Sequence, residues 1–184
     1  MDYLGEGLSE EITNSLSRLP SLQVMARSTL SHYKSRQDDP QGVGHDLHVD
    51  AVLTGRVVQH ANELEVETEL VDVASRAQLW GERYTRNFAD AAALQSSITR
   101  DIATQLRPRL AGNERDTLAK VGTKDPQAYQ LYLKGLYRFH RFTPEDLDTA
   151  SDFFEKATAK DRNYAAAYAG LAESYAIKDY RCGF

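Results

Sequence analysis

The sequence predicts an α/β (α+β) fold: a two-layer domain over residues 1–110 with a mixed sheet of about four strands, a linker at 111–125, and an all-α segment over 126–184. Three observations support this. Leu64, Val66, Thr68 and Leu70 alternate with Glu63, Glu65, Glu67 and Glu69, the period-two pattern of a strand with one buried and one solvated face. Ala111 to Glu114 and Val121 to Pro126 are rich in turn formers. Beyond Asp125 the apolar residues recur at helical spacing, with Ala150, Phe154 and Ala157 separated by 4 and then 3.

In the first domain, Ser9 is a plausible N-cap for a helix whose first turn carries Glu10 and Glu11 and whose apolar stripe is Ile12, Leu16 and Leu19. Pro20-Ser21 ends it, and Leu22 to Ala26 reads as a short strand. Asp39-Pro40 is a cap followed by an N1 proline, so a short helix should follow and carry Val43 and Leu47 inward. Ala51 to His60, with Val52, Leu53, Val57 and Val58, reads as an interior strand, joined at Ala61-Asn62-Glu63 to the glutamate-alternating strand as a hairpin. After Ser75-Arg76 a third strand runs from Gln78 to Thr85 with Leu79, Trp80 and Tyr84. A helix from about Asp90 to Leu106 places Leu94, Ile98, Ile102 and Leu106 on one face, and Pro108 should end or bend it. In the second part, helices are expected at 126–141, 144–160 and 164–178, the last packing across the preceding pair.

Gly135, Ala150, Phe154 and Ala157, followed by Tyr168, Leu171, Ala172 and Tyr175, resemble the tetratricopeptide repeat (TPR). Gly135 and Ala172 fill the same small-residue place 37 residues apart, the usual period of about 34 plus about three residues inserted at Arg141 to Pro144. The resemblance implies one full repeat plus the first helix of a second. Arrays need roughly three repeats to bury their faces, so the chain is expected to be a piece of a longer protein. Arg162 stands where the repeat's closing proline would, leaving a less rigid turn at Asn163-Tyr164.

Tyr3 to Ile12, Leu22 to Ser28, Val52 to Val57 and Ala77 to Tyr84 together resemble the TolB amino-terminal-like domain. That domain is often followed by TPRs in bacterial signalling proteins, carboxy-terminal to serine/threonine kinase domains, winged-helix regulators or adenylate cyclases. The family's usual first apolar strand, ahead of Tyr3, is absent. The resemblance therefore implies an incomplete sheet whose exposed edge favours self-association with another chain.

Composition narrows the function. Hydrophobic content of 41% and charged content of 27% suit a soluble globular chain. No apolar run approaches the ~18 residues of a membrane span, and the acidic start does not resemble a signal peptide. A cytoplasmic location is the default expectation, and an extracytoplasmic one applies if the chain belongs to a membrane-anchored sensor. The net charge is −5, and residues 123–184 carry nine basic and nine acidic side chains, which is no nucleic-acid surface. Cys182, the only cysteine, allows no internal disulfide.

No catalytic constellation, metal site or cofactor site is expected. His45 and His48, beside Asp46 and Asp50, resemble metal ligands, but a solvated helix end explains them without further donors. Gly42-Val43-Gly44 lacks the third glycine of a phosphate fingerprint. Glu65, Glu67 and Glu69 read as a solvated strand face. The expected function is a non-catalytic interaction or sensory module that binds a peptide or protein partner, with the non-catalytic tail of a kinase or cyclase as the alternative. Candidate partner-binding residues are Tyr129, Lys134, Arg138, Arg141 and Tyr168: aromatics and cations on first helices of repeats, which line the concave face of such arrays. Lys134 and Arg138, one turn apart, would face an acidic or carboxylate-ended ligand.

Overall fold

In the computed structural model, which describes residues 2–36, 38–106 and 122–182, the glutamate-alternating segment is the centre of a three-stranded antiparallel sheet. β1 (Ala51–His60), β2 (Glu63–Asp72) and β3 (Gln78–Asn87) lie in the order β1-β2-β3. The described residues contain three strands and not the expected four, and the sheet is antiparallel throughout, not mixed. The missing strand is Leu22 to Ala26. Its residues are half-buried or exposed and have no ladder partner, and without a neighbouring strand, alternation alone does not make one.

Register explains which strand residues are buried. Leu53 and Val57 face Leu70 and Val66, and Tyr84 and Trp80 face the same two residues from the other side. Cross-strand partners share a face, so these side chains and Leu64 form the inner surface, on which Leu64, Val66, Leu70 and Tyr84 are buried. The same register places Glu65, Glu67 and Glu69 on the opposite face, where Arg83 pairs with Glu65 and Glu67. β1, expected to be interior, is an edge strand with no fully buried residue.

Helix α1 (Asp2–Leu16) begins well before Ser9. Leu4, Leu8, Ile12 and Leu16 are all buried at four-residue spacing, and this continuous stripe outweighs the capping tendency of a single serine. Residues Arg27–Leu30 form a single turn, α2, followed by a 3₁₀ segment at Ser31–Arg36. α3 (Pro40–Leu47) starts as the sequence predicts: the Asp39 carboxylate accepts from the Gly42 N–H at 2.9 Å, and Pro40 opens the helix. A Cβ at Gly44 would collide with Val73 Cγ2 and stand 2.9 Å from Val52 Cγ2, so α3 approaches the outer face of the sheet where Val71 is buried opposite Val52. α4 (Ala91–Gln105) buries Leu94, Ile98 and Ile102. Asp101 on α4 accepts from the Tyr84 hydroxyl at 2.7 Å. Pro108 and residues 111–121 of the expected linker at 111–125 lie outside the described residues.

Three helices follow: α5 (Pro126–Phe139), α6 (Pro144–Lys160) and α7 (Ala165–Cys182), close to the expected ranges. Asp125 caps α5 by accepting from the Gln127 and Ala128 N–H groups, and Thr143 caps α6, each ahead of a proline. Phe154 is fully buried. Gly135 on α5 and Gly170 on α7 both approach its ring so closely that a Cβ would lie 2.5 Å and 2.7 Å from it. Tyr132 packs on Phe154 and Tyr164, with ring centroids 5.8 and 5.0 Å apart.

By contact the chain forms two units. The sheet unit comprises Glu10–Phe88 and Leu94–Ala119, and the helical unit comprises Met1–Ser9, Ala89–Ala93 and Lys120–Phe184. Residues 2–9, which the sequence places in the domain at 1–110, thus belong with the helical segment.

Candidate interaction surface

The five candidate partner-binding residues all lie on or near α5–α7, but they do not form one surface. Tyr129 is 3% exposed. This corrects the expectation for it: its ring is part of the core of the helical unit. Lys134 is half-buried, with its ammonium 5.7 Å from the centre of the Tyr3 ring. Burial pushes the Tyr3 phenol above its usual pKa. Arg138 donates to Asp146 at 2.9 Å across the α5–α6 turn and holds that carboxyl below the ordinary aspartate range. Lys134 and Arg138, expected to face a carboxylate ligand together, thus each have a partner within the chain.

Arg141 and Tyr168 are exposed. Arg141 stacks on the Tyr137 ring at 4.7 Å and donates to its hydroxyl at 2.6 Å. Beside it Phe142 is 44% exposed and has φ 55°, a left-handed conformation that a bulky side chain rarely adopts. On α7, Tyr168 is joined by Tyr175 and Tyr180, which the sequence reading did not single out as surface groups. Tyr175 donates to Glu155 at 2.5 Å, which raises its pKa, and Lys178 lies 5.5 Å from its ring. Intervening Ala165, Ala169, Ala172 and Ala176 are also exposed, so α7 presents tyrosines on a largely small-residue helix face.

The start of α1 was legible as part of a resemblance, but its role was not. Leu4 and Leu8 are 1% and 2% exposed, and Gly7 sits against Leu133 of α5. The signal was the spacing Tyr3-Leu4…Gly7-Leu8, the same face of a helix two residues wide.

In the sheet unit an open cavity of about 330 Å³ is lined by Asp39, Gln41, Gly42, His45, Asp46, Val73 and Arg76. Its two carboxylates are spanned by Arg36, at 2.8 Å from Asp39 and 2.5 Å from Asp46. His45 and His48 are exposed, with His48 in the left-handed cap position of α3. No group of three or more potential metal ligands occurs among the described residues. Nor is any helix among them long and apolar enough to cross a membrane.

No protein-family model matches this chain. A protein of Rhizobium meliloti (strain 1021) named "Putative adenylate cyclase 3" is 31% identical over 170 residues, covering 92% of this chain and 29% of that protein. The chain thus spans less than a third of the length of this curated relative.

Proposed function

We propose that the chain is a non-catalytic interaction module of a bacterial signalling protein: a TolB-like α/β domain followed by TPR-like helices that bind a peptide or protein partner. The observation that carries this reading is the pair of exposed tyrosines on one face of α7, Tyr168 and Tyr175, two turns apart at 47% and 43% exposure. Large amphipathic rings left in water on a helix of small residues suit a protein contact, since tyrosine supplies contact area with few rotatable bonds to freeze. The glycine contacts of Gly135 and Gly170 with Phe154 agree with the TPR reading, in which small residues let neighbouring helices close on an aromatic. Panning a peptide library against wild type and against Tyr168→Ser/Tyr175→Ser tests it. Peptides that bind only the wild type support the reading, and binders indifferent to both tyrosines count against it.

A second reading is favoured by the 31% identical relative: the chain is a non-catalytic segment of an adenylate cyclase. Its test is cyclic AMP formation from ATP and Mg²⁺. The account expects none from this chain alone, and measurable turnover would overturn its non-catalytic assignment.

A further inference from the structure

We propose that β1 is the contact edge of a two-fold dimer, in which a second copy of this chain lays its own β1 antiparallel to the first, centred on Gly55, so that the two sheets become continuous. The surface lies within the sheet unit and does not rest on the interaction-module reading.

The hydrogen-bond pattern fixes which backbone groups of β1 face outward. Its register with β2 runs without a shift from Ala51↔Asp72 to His60↔Glu63, and one step before it the Val73 N–H donates to the Asp50 carbonyl at 3.0 Å. Hydrogen-bonded pairs alternate along an antiparallel ladder, so Val52, Thr54, Arg56 and Val58 turn their backbone groups to β2. Ala51, Leu53, Gly55, Val57 and Gln59 turn theirs to the open side, where the described residues supply no further strand. β1 also lacks the features that guard an edge: it has no proline and no bulge, and Arg56 is its one permanently charged residue. β3, the other edge, carries Glu82, Arg83 and Arg86 and is the strand at which the register slips.

The sequence of β1 says what fits that edge. Val52-Leu53-Thr54-Gly55-Arg56-Val57-Val58 is nearly self-complementary about its glycine, with a polar residue and then two apolar ones on either side. A two-fold axis at Gly55 sets outward-turned residues opposite outward-turned residues, so about ten N–H···O=C bonds close between the copies at two per pair. The side chains then match on both faces. Leu53 meets the second copy's Val57 on the face that holds Val66 and Leu70, and Val52 meets its Val58 on the other. These four are half-buried in the single chain, so the pairing removes apolar surface from water. Thr54 meets Arg56, which keeps the two arginines from facing each other. Moving the axis one residue to Arg56 would set like charges directly opposite, and moving it to Thr54 would set Val52 against Arg56, so the glycine-centred register is the favoured one.

Sedimentation velocity of the full chain tests this, run across micromolar loading concentrations on wild type and on Val58→Lys. Within the chain position 58 stands across from Glu65, so the lysine has a partner in the fold, but in the dimer it faces the second copy's Val52 at two symmetric places. The wild type is expected to dimerise, and Val58→Lys to dissociate at a concentration at least tenfold higher with an unchanged far-UV circular dichroism spectrum. A wild type that stays monomeric, or a Val58→Lys dimer as tight as the wild type, overturns the proposal. Cross-linking in a Cys182→Ser background reads the register. Thr54→Cys combined with Arg56→Cys puts thiols on a non-hydrogen-bonded cross-strand pair with Cα atoms about 4.5 Å apart, inside the range of about 4.4–6.8 Å that a disulfide spans. Mild oxidation should give a covalent dimer from the double variant and several-fold less from either single one. No covalent dimer, or equal amounts from a single variant, overturns the Gly55-centred pairing, and this outcome decides where Val58→Lys does not fold.

Discussion

Replacing Gly135 by alanine sets a helix-propensity gain against a steric loss, and the geometry decides the sign. Alanine is favoured over glycine inside a helix by about 0.8–1.0 kcal/mol. The new methyl, however, would stand 2.5 Å from Phe154 Cε1, 2.7 Å from Cδ1 and 2.9 Å from Cζ, where ordinary carbon contacts begin near ~3.5 Å. The ring is fully buried, and Gly170 closes on Cζ and Cε1 of the same ring, so it has little space into which to move. Overpacking of this kind costs about 1–3 kcal/mol. With three ring atoms crowded, the upper half of that range applies, leaving Gly135→Ala about 1–2 kcal/mol less stable than wild type after the propensity gain. Urea unfolding followed by far-UV circular dichroism measures it, and melting should fall by about 2–4 °C per kcal/mol for a chain of this size. Phe154→Leu in the Gly135→Ala background should recover part of the loss, a coupling of at least about 0.5 kcal/mol. A Gly135→Ala variant stabilised by about 1 kcal/mol, as at an unpacked helix position, would refute the close packing of α5 on Phe154.

Asp125→Ala should destabilise the helical unit by about 1 kcal/mol, because the carboxylate accepts from two N–H groups of the first turn of α5, whereas Asp125→Asn should cost only a fraction of that in the same urea titration. The Asp146 carboxyl is held low by Arg138, so its contribution is present above the ordinary aspartate pKa and is lost as pH falls through the folded value. Asp146→Asn should therefore lower the urea midpoint at neutral pH, and the gap from wild type should close on acidification; a gap independent of pH contradicts the pairing. Tyr84 is pushed well above the usual tyrosine pKa, first by burial and then by its hydrogen bond to Asp101. A group raised in the folded state stabilises fully below its unfolded pKa, so this contribution fades only as pH rises past about 10. In an alkaline absorbance titration Tyr84→Phe should remove one late-titrating phenol, and loss of an early one instead would place Tyr84 in water.

Sequence periodicity located β2 and the three last helices because each signal there had the partner it implied. Glutamates alternate with residues that the register puts on one buried face, and Asp125-Pro126 and Thr143-Pro144 cap helices that begin where the caps stand. Leu22 to Ala26 has the same local character but no adjacent strand, and a ladder is a property of two segments. Ser9 failed as a cap because the apolar stripe of α1 runs through it from Leu4 to Leu16. Among the candidate site residues, exposure was legible for Arg141 and Tyr168. It was not legible for Tyr129, Lys134 or Arg138, because residue type and helical spacing do not reveal that Tyr3 and Asp146 already occupy the two cations.

The most direct test of the interaction-module account is the affinity of the tightest library-selected peptide for wild type and for Tyr168→Ser/Tyr175→Ser, measured by calorimetry with both proteins verified as folded. The account predicts binding at least tenfold weaker in the double variant, about 1.4 kcal/mol. Equal affinity would contradict it.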